Sequence, residues 1–244
     1  MRIKYFQKGF NYSQDGPGNR LVYHLHGCNM HCPWCSNPEG MDASRVFDSF
    51  PVTTVSVEEM KNEILSCRPM FFDGGGVTLT GGEVSIQLPA VLELFKLLEE
   101  SGINRAIETN AQNPELTRLF PYLDHLIMDI KSADGEKLSE VTGGKLEPIL
   151  SNLSAAAGKV DTLVHIPLIH GFNDSDRDID GFINLLMPFR ESIRVELLAY
   201  HEYGKDKWAK CGLLYNMADA FLPKGRLSEI NLQLKSAGIN AVRT

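Results

Sequence analysis

The chain has 244 residues, 43% hydrophobic and 23% charged, with a formal net charge of −7. A globular domain of that size buries enough apolar surface to fold without disulfides, and its acidic balance, with no basic run, argues against nucleic-acid binding. The N-terminal residues lack an apolar leader and no stretch approaches the ~18 apolar residues of a membrane helix, so the expected setting is the cytoplasm, with no membrane partner.

In chain order, apolar β-branched runs predict strands at residues 21–26, 77–80, 105–108, 125–130, 163–169 and 192–198, with a short last one at 239–242. One helix is expected to begin near Ser56, where Glu59 completes a capping box. A second begins near Pro89, a favoured first-turn residue, and stops at Gly102. A third covers residues 227–237. Residues 41–54 have little periodicity and read as an irregular insertion. Six βα units predict a parallel sheet that curls into a partial (β/α)6 TIM-like barrel, since eight are needed to close a full one. With no repeat, low-complexity tract or linker, residues 1–244 read as a single domain, expected as a monomer.

The chemistry concentrates directly after the first of these strands, in a C-x3-C-x2-C run formed by Cys28, Cys32 and Cys35. The C-terminal end of a βα strand is where active sites are built. Three thiolates on a short loop can reach three irons of a cubane and leave the fourth open to a small ligand, whereas electron-transfer clusters close it with a fourth Cys. A tetrahedral zinc site is the alternative, with His26 or His31 as its fourth ligand. Cys67 and Cys211 have no C-x2-C partner and read as ordinary thiols, so a second cluster is not expected. Downstream, residues 74–83, GGGVTLTGGE, set glycines that allow close backbone approach beside Glu83, a carboxylate able to accept from an ammonium. Asp129 and Lys131 are two apart on a strand and share a face. Their charges suit a ribose hydroxyl or a ligand carboxylate, and a plain ion pair at a strand end accounts for them too. His201 reads either as a ligand contact or as a buried imidazole.

The cysteine run, with Trp34 before its last Cys, resembles the signature of the radical S-adenosylmethionine superfamily, and Gly81-Gly82-Glu83 resembles that superfamily's GGE motif. The longer phrase GGGVTLTGGE is similar to the activating enzymes of glycyl radical enzymes, the pyruvate formate-lyase activase among them. So are DGPGNR at 15–20, ETN at 108–110, MDIK at 128–131, IPLIHGFND at 166–174 and LLAYHEYGK at 197–205. The resemblance implies a [4Fe–4S] cluster on Cys28, Cys32 and Cys35, and S-adenosylmethionine contacts from Trp34, Cys35, Ser36, Gly82, Glu83, Asp129, Ile130, Lys131 and His201. It implies a monovalent cation near Glu108, Thr109 and Asp129. It also implies a glycyl radical enzyme as protein substrate, meeting Asp15 and Gly16 along an open barrel mouth, and a flavodoxin or ferredoxin-type electron donor. No protein side chain is expected to be catalytic, because the cofactor carries the radical chemistry.

Three positions depart from the family's pattern. His165 stands where Arg is common, which removes a bidentate fork; His170 stands where Pro is common; Val84 follows GGE. Residues 34–39, WCSNPE, look more like the activases of diol dehydratases and decarboxylases, yet residues 41–68 hold a single Cys and no cysteine-rich insert, so the subfamily is open. The alternative function is a small-molecule radical enzyme of the deazapurine-synthase kind. A non-enzymatic metal module leaves GGE, D-x-K and the late His without a purpose.

Overall fold

The computed structural model describes residues 1–12 and 14–243. Its strands are β1 (Arg2–Tyr12), β2 (Asn19–Leu25), β3 (Thr53–Ser56), β4 (Gly76–Gly81), β5 (Asn104–Thr109), β6 (His125–Asp129), β7 (Asp161–Leu168), β8 (Ile193–Ala199) and β9 (Ala241–Val242). They form one sheet in the order β3-β1-β2-β4-β5-β6-β7-β8-β9. From β2 through β9 every pairing is parallel, while β1 pairs antiparallel with both β2 and β3. The six parallel strands β2 and β4–β8 are the expected partial barrel. The ends of the sheet do not meet, so the barrel stays open.

The helices are α1 (Val57–Ser66), α2 (Leu88–Leu98), α3 (Gly135–Thr142), α4 (Leu146–Ala156), α5 (Asp176–Leu186), α6 (Lys205–Lys210) and α7 (Arg226–Ser236). Local chemistry sets their ends. Ser56 and Glu59 form the expected capping box of α1, and Ser175 with Asp178 forms another on α5. Pro89 sits in the first turn of α2, whose Val91, Leu94, Phe95 and Leu98 are wholly buried. Parallel strands covered on both faces lose the apolar–polar alternation. Accordingly Tyr23, Leu79, Ile107, Met128, Val164 and Val195 have no exposed surface. The connection from β5 to β6 is made of 3-10 turns rather than a helix.

Two strands and four helices go beyond the sequence expectation. β1 is missed because only Ile3 and Tyr5 of its residues are buried, so it carries no apolar run. β3 begins in the last two residues of the stretch read as irregular, Thr53 and Thr54, and runs on to Ser56. The helices α3 and α6 are short, and α4 and α6 lack a side-chain N-cap, whereas α5 has eleven residues and the Ser175–Asp178 capping box and was legible in the sequence. Among the described residues no helix is long and apolar enough to cross a membrane.

Candidate active site

Five parallel strands, β2, β4, β5, β7 and β8, carry a polar residue that breaks an apolar run, while β6 has polar residues only at its two ends. His24 of β2 is in register with Thr80 of β4, and His165 of β7 with Glu196 of β8. Thr80 Oγ1 donates to Glu108 Oε2 of β5 at 2.5 Å. His165 lies between two carboxylates, 3.5 Å from Glu108 Oε1 and 3.5 Å from Glu196 Oε2. Burial works against a charged imidazole there, but the two glutamates outweigh it and raise His165 to about 10. Where Arg is common in the family, this chain thus has an imidazole with one ring nitrogen toward each acid. This polar row was legible in the runs VYHLH, VTLT, AIET, LVHIPL and RVELL, where one polar residue breaks each apolar stretch.

Above the row, at the C-terminal ends of the strands, opens a cavity of about 610 Å³. Cys28, Cys32 and Cys35 all line it, as do Trp34, Ser36, Gly82, Glu108, Thr109, Asp129, Lys131 and His201. The cysteine loop is fixed by main-chain bonds to the GGE turn. Gly82 N–H donates to Leu25 O at 2.8 Å and Glu83 N–H to Gly27 O at 2.7 Å. A Cβ at Gly82 would stand 2.2 Å from Gly27 O, so only glycine lets the two loops touch.

All three cysteines are free, and burial pushes their thiols up, Cys32 to about 12. As deprotonated ligands these buried sulfurs need cationic partners, which irons supply. N–H groups point at two of them: Met30 N–H at Cys28 Sγ, 3.4 Å, and Asn37 N–H at Cys35 Sγ, 3.3 Å. Such donors are the usual surroundings of cluster thiolates. The zinc alternative lacks its fourth ligand here. Neither His26 nor His31 lines the cavity, and His26 Nε2 is 2.9 Å from Arg45 O.

Lys131 Nζ donates to Asp129 Oδ2 at 2.8 Å, and both face the cavity. Burial opposes the Lys131 charge, but Asp129 more than compensates and holds the ammonium protonated. His201 stacks on Tyr203 with ring centres 4.1 Å apart, and burial lowers its basicity. Trp34 packs on Phe172 at 4.9 Å.

Four expected residues sit differently. Glu83 is 1% exposed and does not line the cavity. Its carboxylate accepts from Ser85 N–H (2.9 Å), Thr109 Oγ1 (2.7 Å) and Asn110 N–H (2.8 Å), so it joins the ends of β4 and β5. Ile130 is fully buried, its N–H bonded to His165 O. Thr109's hydroxyl is turned to Glu83, and the group that converges on Glu108 and Asp129 contains His165. Gly16 lines a second cavity, of about 420 Å³, at the opposite end of the barrel.

That last difference follows from topology. The DGPG turn joins antiparallel β1 to β2, so it lies at the N-terminal ends of the parallel strands, opposite the cysteine loop and not along the upper mouth. Asp15 nevertheless reaches up into the main cavity. Thr78 Oγ1 donates to Asp15 O at 2.7 Å, and the fully buried Arg20 below it donates to Thr78 Oγ1, Val77 O and Pro17 O. Gln14 borders both cavities, so the turn is the partition between them.

Burial, and then the nearby Glu108, raises the Asp15 carboxyl from 3.8 to about 6. An acid whose folded value is raised destabilises the fold as it ionises. The penalty is absent below 3.8, grows through that window and is complete above about 6. Asp15→Asn is therefore expected to raise the thermal midpoint at about pH 7.5 and to have little effect near pH 4. Melts of the metal-free protein read this, and an equal gain at both pH values would assign the effect to packing.

Comparison with known proteins agrees with this geometry. Residues 22–183 match the family model described as the radical SAM superfamily. A pyruvate formate-lyase-activating enzyme of Staphylococcus aureus (strain USA300) is 31% identical over 219 residues, covering 86% of this chain and 85% of the relative. A solved domain of the pyruvate-formate lyase-activating enzyme of Bacteroides vulgatus superposes with a TM-score of 0.56 at 23% identity, over 69% of this chain and 98% of that one. A radical SAM methyltransferase of Sphaerobacter thermophilus gives 0.66 at 14% identity, over 96% and 67%. The chain belongs to the radical SAM superfamily and, within it, to the family of the pyruvate formate-lyase-activating enzymes.

Proposed function

We propose that this single-domain enzyme installs a glycyl radical on a partner protein. The observation that carries the reading is the convergence of three cysteine sulfurs, the Asp129–Lys131 pair and Asp15 on one cavity, in a chain of this family. A [4Fe–4S] cluster with S-adenosylmethionine on its open iron supplies, when bound, reductive cleavage of the sulfonium and hydrogen abstraction from a glycine.

The protein's own part is to bind, orient and exclude. Cys28, Cys32 and Cys35 hold the cluster. Lys131 meets the methionine carboxylate as a preformed cation, and Asp129 both keeps it charged and offers an acceptor for a ribose hydroxyl. Trp34, Ser36, Gly82 and His201 wall the remainder of the cofactor site. Glu83 and Ile130 act from behind, by fixing the loops that carry these contacts. A monovalent cation near Glu108, Thr109 and Asp129 would find ligand atoms of Glu108, Asp129 and His165 already drawn together there. Asp15 accepts hydrogen bonds from the incoming glycine segment. The electron comes from a flavodoxin or ferredoxin-type protein, and the enzyme works as a cytoplasmic monomer.

Lys131→Ala should preserve iron content and weaken S-adenosylmethionine by about 1.5–3 kcal/mol, a tenfold to hundredfold loss of affinity. Unchanged affinity in a titration of the cluster-loaded protein would remove Lys131 from the cofactor site. The function itself is tested by mixing reduced enzyme, S-adenosylmethionine and a candidate glycyl radical enzyme. The expected result is a glycyl doublet in electron paramagnetic resonance, slowed in Asp15→Ala. Turnover of a small metabolite with stoichiometric 5′-deoxyadenosine, and no doublet with any glycyl radical partner, overturns it.

A further inference from the structure

The cluster loop is gripped by a helix about 170 residues downstream. Trp208 Nε1 of α6 donates to Cys35 O at 2.8 Å. Lys207 Nζ reaches Asn37 Oδ1 and Glu39 Oε1, each at 2.8 Å. A Cβ on Gly204, just before the helix, would stand 2.4 Å from Cys35 O, so the helix start rests directly on that peptide. The indole is braced from behind by Tyr215 at 5.6 Å, whose hydroxyl meets that of Tyr200 at 2.7 Å. Glu39 is 2% exposed, and its Oε2 has no hydrogen-bond partner among the described residues. Lys207 is thus the cation that makes a buried carboxylate tolerable at this point of the loop.

We propose that α6 is a latch on the third cluster ligand, with Trp208 and Lys207 as positioning residues that set the cluster's reduction potential. The proposal rests on the cluster reading above and adds to it a role for residues outside the cofactor cavity. Trp208 fixes the peptide that follows Cys35, and through it the aim of Asn37 N–H at Cys35 Sγ. An N–H···S bond withdraws charge from sulfur and favours the more negative, reduced cluster. Losing the indole donor loosens that bond and lowers the potential. Losing Lys207 leaves Glu39 as an uncompensated negative charge on the same loop, which lowers it too. The two contacts act in the same direction by different physics.

The test is a potentiometric titration of anaerobically reconstituted protein, read by the electron paramagnetic resonance of the reduced cluster. Trp208→Phe and Lys207→Met should keep full iron content yet show at least about a tenfold smaller reduced-to-oxidised ratio at fixed poise, about 59 mV for one electron. Adding Glu39→Gln to Lys207→Met should return the potential toward the wild-type value. Lys210→Met, on the exposed side of the same helix, should leave it unchanged. Wild-type potentials in both single variants overturn the latch, as does an equal shift in Lys210→Met, which would mean distant charge rather than contact. Should Trp208→Phe lose its cluster or fail to fold, Lys207→Met and its rescue by Glu39→Gln decide the matter. A wild-type protein that holds no four-iron cluster sinks the cluster reading itself, an outcome distinct from an unshifted potential.

Discussion

Replacing any one of Cys28, Cys32 or Cys35 with alanine is expected to drop iron after anaerobic reconstitution from about four per chain to below about one. The reason is geometric. Three sulfurs on one loop are the minimum set for a cubane with an open corner, and two cannot retain it against thiols in solution. No fourth thiol is at hand, since among the described residues Cys67 and Cys211 are both outside the cavity lining. The other two cysteines provide the control. Cys211 lies at the C-terminal end of α6 and Cys67 at that of α1, so Cys67→Ala and Cys211→Ala should keep full iron. Iron content and the visible charge-transfer absorbance together read the outcome. A full set of irons in Cys32→Ala would end the single-cluster reading.

The second large effect concerns Glu83, and it is an effect on folding. Glu83→Ala removes one carboxylate and orphans two main-chain N–H groups and a hydroxyl in a site that water does not reach. The expected cost is about 3–5 kcal/mol, since each unsatisfied buried donor costs about 1–3 kcal/mol. For a chain of this size that lowers the thermal midpoint by about 6–20 °C. Glu83→Gln keeps the shape and an acceptor oxygen, so it should recover part of the loss. Melts of the metal-free protein separate this from cofactor binding. A Glu83→Ala protein as stable as wild type but unable to bind S-adenosylmethionine would show that the carboxylate meets the ligand directly.

Glu83 also marks the boundary of what the sequence could reveal. That GGE belongs to the site was legible, because glycines and a carboxylate after a strand have a limited set of uses. That its carboxylate faces Asn110 and Thr109 rather than the cavity was not, since the direction of a side chain at a strand end depends on the loop packed beside it. The six barrel strands were legible because burial on both faces leaves continuous apolar runs. β1 was not, because it lies outside the parallel barrel strands and carries the exposed Gln7 and Gly9 and the half-buried Asn11 where a core strand carries valine. The cysteines declared themselves by spacing alone. The grip of Trp208 on Cys35 joins positions 173 apart and has no local signature.

The partition formed by Asp15, Pro17 and Arg20 has a kinetic consequence. A vessel stopped at its base fills and empties from the rim. On the proposed reading, S-adenosylmethionine held beside the cysteines by Asp129 and Lys131 would have to enter before a folded protein covers the opening, and spent nucleoside would stay behind that cover until the partner departs. Steady-state kinetics should therefore show compulsory-order addition, the small molecule first. Partner concentrations far above saturation should slow turnover, by recapturing the enzyme before the nucleoside escapes.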